Sequence, residues 1–189
     1  GVSTTAALTI QDARNLVWNG TPANTWDIAT TANWWLNTAG GTVVDFDQGD
    51  NVTLDDNAGN TTVDVVSDYL SPGTITFNAS GEMTISGSGD ISGPASSLVV
   101  NGLTLNSKLT IDNPNTFAGG TVINDGWLVL SDGKAINNSS ITMAGTGFSI
   151  VEFADNCPGI HLTADGTVIG ADNSDILGPI TGAGRTLKV

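Results

Sequence analysis

The chain is short of the residues on which most enzymes and metal centres rely. Among 189 residues there is one cysteine, one histidine, one tyrosine and two methionines. Cys157 alone cannot form an internal disulfide, so the fold must be held by its core. Its thiol is either buried, as free cysteines tend to be, or available to pair between molecules. One histidine cannot supply a catalytic triad or a histidine-based metal centre. His161 lies in Ile160-His161-Leu162, where alternation predicts a solvent-facing ring between two inward apolar side chains.

Positive charge is scarce as well. Five basic residues stand against 19 acidic ones, for a net charge of −14. No Lys or Arg occurs between Asn15 and Ser107, a stretch with ten acids. Such a surface repels phosphate backbones, so nucleic acid is excluded as a partner. No apolar run approaches the roughly 20 residues that span a bilayer, so membrane insertion by a helix is not expected. The chain opens at Gly1 without a basic and then apolar leader, which reads as a processed form or an excised piece.

Strong helix formers are rare too: Glu occurs twice and Lys three times, against 24 glycines. Thr, Val, Ile and Asn dominate, which argues for an all-β protein. Short strand candidates separated by Gly, Asn, Asp, Ser or Pro run the length of the chain. They include Leu16–Trp18, Val52–Leu54, Thr62–Val66, Thr74–Phe77, Met83–Ile85, Leu98–Val100, Leu103–Leu105, Leu109–Ile111, Ile141–Met143, Phe148–Phe153 and Thr167–Ile169. Their irregular spacing favours a solenoid with variable loops over a propeller. Residues 43–189 read as one continuous body, preceded by a leader strand and a Trp-rich cap in residues 1–42.

The stretch from Asn115 to Leu130 organises the reading. Two runs rich in β-branched and aromatic residues, Thr121–Ile123 and Trp127–Leu130, flank Asn124-Asp125-Gly126. That tripeptide tolerates positive φ and marks a bend. A hairpin and a solenoid corner both satisfy the spacing. The segment resembles the autotransporter-associated β-strand repeat, also called the passenger-associated transport repeat. Asn115, Thr116, Gly119, Gly120, Thr121, Ile123, Asn124, Gly126, Leu128 and Leu130 carry the match. Phe117, Val122 and Trp127 depart from it. The resemblance covers residues 115–130. It implies a rung of a right-handed parallel β-helix in a large secreted bacterial protein, and it implies no reaction.

Four of the five tryptophans fall between Trp18 and Trp35. Trp18, Gly20, Trp26, Asn33 and Trp34 resemble a module that often opens proteins with this repeat. A β-helix exposes apolar core at its ends and needs a cap, for which large rings are suited. Trp26, Trp34 and Trp35 are also candidates for stacking on sugar rings. Trp34 and Trp35 are adjacent and so face opposite ways in a strand, with Trp35 expected outside.

Asp45, Asp47 and Asp50 cluster oxygen ligands and are candidates for a loop Ca²⁺ site, though EF-hand spacing is absent. Solvated turn aspartates are the plain alternative, and no other cofactor is expected. Basic residues are too few and too scattered for a polysaccharide-cleaving β-helix, so no enzymatic activity is expected.

The expected function is that of a non-enzymatic extracellular structural or adhesive β-helix protein, secreted or held at the cell surface. Its partners are further copies of itself or surface glycans. Self-assembly into fibres would join the leader strand, around Leu8 and Ile10, to the final rung at Leu187 and Val189. The alternative is a carbohydrate-binding module, and behind it a β-helix polysaccharide-degrading enzyme.

Overall fold

A computed structural model describes residues 12–132, 135–136, 139–145, 148–153, 156–157, 159–170, 175–176 and 178–189. These residues form a β-solenoid, with no helix among them. The N-terminal part contributes β1 (Asn15–Trp18), β2 (Thr25–Trp26), β3 (Trp34–Leu36) and β4 (Val43–Val44). The chain then alternates between two sheets. β5 (Asn51–Asp55), β7 (Thr74–Asn78) and β9 (Ser97–Asn101) join the first sheet. β6 (Thr62–Val65), β8 (Glu82–Ser86) and β10 (Lys108–Asp112) join the second.

β11 (Thr121–Leu130) serves both sheets. Thr121–Ile123 pair with β9 in the first, and Trp127–Leu130 pair with β10 in the second. The bend at Asn124-Asp125-Gly126 is therefore a solenoid corner; the chain does not reverse. Gly126 sits there at φ +103, and a Cβ on it would stand 3.0 Å from Gly102 Cα. Glycine meets both demands, the positive φ and the close backbone approach.

Beyond the corner, β12 (Ile141–Met143), β15 (Ile160–Leu162) and β18 (Ile180–Thr181) extend the first sheet. β13 (Ser149–Phe153), β16 (Gly166–Gly170) and β19 (Leu187–Lys188) extend the second. A short third side pairs β14 (Asn156–Cys157) with β17 (Asp175–Ile176), and lower down carries a bridge from Leu70 to Ile91. Every pairing from β5 onward is parallel.

Parallel stacking puts like on like, with a register shift between Ile123 and Asp125 where β11 turns the corner beside β9. In the first sheet Leu54, Phe77, Val100, Ile123, Met143 and Leu162 form one inward column. In the second, Met83, Leu109, Leu128, Val151 and Val168 form another. All are buried in a single core cluster. Burial near 25 cal/mol per Å² of apolar surface, repeated at each rung, is what holds a chain without disulfides.

The third side has no such alternation and uses buried amides. Asn115 is fully buried. Its Oδ1 accepts from Ile91 N–H at 2.8 Å on the rung before, and its Nδ2 donates to Ala135 O at 2.8 Å on the rung after. Asn113 supports it, donating to Gly89 O at 3.0 Å. The first residue of the repeat-like stretch thus ties three rungs together.

One strand expectation is corrected. Leu103–Leu105 is a projecting turn, with Leu103 57 % and Leu105 78 % exposed. It connects β9 to β10, and Leu103 N–H and Thr104 Oγ1 bond back to Ala79 O and Ser80 O. The Leu-Thr-Leu alternation imitates a strand, but both sheet positions of that rung are already filled.

Candidate functional site

The tryptophan module packs as a cluster. Trp18 meets Trp34 edge-on at 4.8 Å between ring centroids, Trp26 meets Trp34 at 5.1 Å, and Phe46 meets Trp26 at 5.3 Å. Such edge-to-face contacts add to the area that large rings bury. Trp18, Trp26, Trp34 and Phe46 are all fully buried. This corrects the sugar-stacking candidates Trp26 and Trp34, whose rings have no open face. Trp35 points the other way, as expected, and is half-buried beside Val17 and Val43. β1 and β2 also pair in parallel with β5 and β6, so the cluster stacks directly on the solenoid core.

Asp45, Asp47 and Asp50 do converge, but on a cation from the chain itself. Arg14 reaches in from one turn away. Its Nη2 lies 2.6 Å from Asp50 Oδ2 and 3.1 Å from Asp47 Oδ2, and it donates to Asp45 O at 2.9 Å. Asp50 is 2 % exposed, and its two oxygens also accept from the backbone N–H groups of Arg14 and Asp47. The hydrogen bonds that Arg14 donates to Asp50, opposed by desolvation and then helped by the negative charge of Asp50, Asp47 and Asp45, push the guanidinium above its usual range. All three candidate Ca²⁺ ligands are thus engaged by the Arg14 guanidinium. Sequence spacing within residues 45–50 gave no sign of this partner, which is 36 positions upstream of Asp50.

His161 faces outward between buried Ile160 and Leu162, with Nδ1 2.8 Å from Thr181 Oγ1. Leu187 packs partly against the core, while Val189 is exposed. Leu8 and Ile10 lie outside the described residues.

The fifth tryptophan occupies a different setting. In β11, Leu128 and Leu130 point into the core, so Trp127 and Val129 point out. Register aligns Glu82, Lys108, Trp127, Ile150, Thr167 and Lys188 in one outward column of the second sheet. Lys108 Nζ is 2.9 Å from Glu82 Oε1. The column runs into a groove of about 460 Å³, lined by Phe148, Ile150, Asp165, Thr167, Thr186 and Lys188. The indole N–H of Trp127 is covered and has no hydrogen-bond partner. An unpaired buried donor costs about 1–3 kcal/mol, so hydrogen bonding does not account for a tryptophan here. The available sequence signal was the departure of Trp127 from the repeat pattern, together with its alternation phase.

Comparison with protein-family models, curated proteins and solved structures returns no match for this chain. The class of protein is therefore defined by the fold alone, a parallel β-solenoid closed by aromatic rings.

Proposed function

We propose that the chain is a non-enzymatic structural rod, secreted or displayed at a cell surface, with adhesive contacts made along its sides. One observation carries the reading. A single core and an unbroken parallel ladder run from the Trp cluster to β18 and β19. Each rung is a template for the next, so length and stiffness follow from repetition alone. Outward positions carry Thr, Asn, Val and Asp, a hydroxyl- and amide-rich coat that suits an aqueous exterior. The resemblance of residues 115–130 to a secreted bacterial repeat agrees with this setting.

Among the described residues β18 and β19 are paired on one side only. Further rungs or a second copy can add there by strand pairing. Repetition of such a head-to-tail contact produces a filament.

Negative-stain electron microscopy over a concentration series, with light scattering, tests the self-assembling form of the proposal. The expected result is thin, uniform rods whose length grows with concentration. Particles of constant monomer mass at every concentration would overturn self-assembly and leave the rod as a spacer.

A further inference from the structure

We propose that the outer face of the second sheet binds an extended, uncharged polysaccharide laid along the solenoid axis over Trp127. This goes beyond the rod reading and does not depend on it. The first support is geometric. Lys108, Trp127, Ile150, Thr167 and Lys188 follow one another at one residue per rung. At about 4.8 Å per rung the column is a straight strip about 19 Å long. A straight strip with a regular step suits a polymer with a regular repeat better than a compact ligand. An extended sugar chain repeats its ring at a similar interval.

The second support is the chemistry of the strip. Indole and phenyl rings present flat apolar faces to the C–H faces of sugar rings. Trp127 supplies one at mid-strip and Phe148 one at the groove. Thr167 and Thr186 add hydroxyls that both donate and accept, while Lys188 donates and Asp165 accepts. A groove of about 460 Å³ falls inside the roughly 300–1,000 Å³ typical of ligand sites.

The third support is charge, and it selects the occupant. The chain carries −14 overall, but the strip is locally balanced. Lys108 is paired with Glu82, and Lys188 shares the groove with Asp165. A polyanion gains nothing from a balanced strip and is repelled by the surrounding surface. An uncharged, hydroxyl-rich chain meets neither penalty and can use every group of the strip.

Native gel electrophoresis through gels containing hydroxyethyl cellulose, xyloglucan or galactomannan tests this, with polygalacturonate as the anionic probe. The expected result is retardation by at least one neutral polymer and none by polygalacturonate. Trp127→Ala and Thr167→Glu should weaken that retardation roughly tenfold, as loss of a central contact does, while Trp35→Ala runs like the parent chain. Circular dichroism confirms that each variant is folded; should Trp127→Ala fail to fold, Thr167→Glu, on the outer face, decides. The proposal is overturned if no neutral polymer retards the protein, if only polygalacturonate does, or if the folded variants are retarded as strongly as the parent chain.

Discussion

Replacing Asn115 with alanine probes the joint between rungs where apolar stacking gives way to buried amides. The substitution removes the acceptor of Ile91 N–H and the donor to Ala135 O, both at 2.8 Å, and three contacts to Asn113 between 3.0 and 3.3 Å. Alanine carries no side-chain polar atom, and full burial of the site bars water from replacing the lost groups. Two backbone groups stranded without partners cost about 1–3 kcal/mol each, so the expected loss is about 2–6 kcal/mol. Against a typical domain stability of about 5–15 kcal/mol, that is readily measured in urea titrations followed by circular dichroism. Asn115→Asp sharpens the test. A protonated carboxyl can still donate to Ala135 O, whereas a carboxylate buried there cannot, so burial raises the folded-state pKa of the new group. A raised pKa means the stabilising form is fully present below the unfolded value of about 3.9 and is lost as pH rises. The deficit of Asn115→Asp should therefore widen between about pH 4 and pH 7, while that of Asn115→Ala stays flat. Exposed Asn78→Ala is the control. An Asn115→Ala midpoint matching the control, or an Asn115→Asp deficit independent of pH, would refute the reasoning.

Three further outcomes are expected. Asp50→Ala leaves two backbone N–H groups without their acceptor and Arg14 with only Asp47 and Asp45 as partners, costing about 3 kcal/mol in urea titrations; Arg14→Ala should cost a similar amount, and the double variant less than the sum. Trp34→Ala empties the middle of the aromatic cluster and should cost about 3–5 kcal/mol with loss of the near-ultraviolet dichroism signal, whereas Trp35→Ala should shift stability by less than about 1 kcal/mol. Gly126→Ala forces a side chain into positive φ against Gly102, and thermal melting should fall by several degrees, corresponding to about 1–3 kcal/mol.

Much of the solenoid was legible because parallel stacking repeats a local rule. Val52, Ile75, Leu98, Ile141 and Ile160 sit at the inward phase of short alternating strands, and alternation alone puts them inside. The turn at Leu103–Leu105 shows where that rule stops. Alternation describes a residue's phase but not whether a sheet position is still vacant, and that depends on the rungs above and below. Choosing a corner over a hairpin at Asn124-Asp125-Gly126 likewise required the neighbours, Gly102 on one side and Phe148 on the other. The partner of Asp50 was hidden for a related reason. In a coil, neighbours in space lie a full turn apart in sequence, so an ion pair between Arg14 and Asp50 leaves no local trace.

The tryptophans bring these limits to the question of function. Composition marked four of them as a group, and the structure accounts for three by burial: Trp18, Trp26 and Trp34 exclude water from the end of the core. Trp127 belongs to no cluster of aromatic residues in the sequence, yet register aligns it with Lys108, Ile150 and Thr167 from three other rungs. A solenoid builds its outer sites one residue per turn, so any such site is scattered through the sequence at intervals near 20 residues. The residues most visible as a motif are therefore those that close the fold. Those that can meet a ligand become a set only when the ladder is drawn.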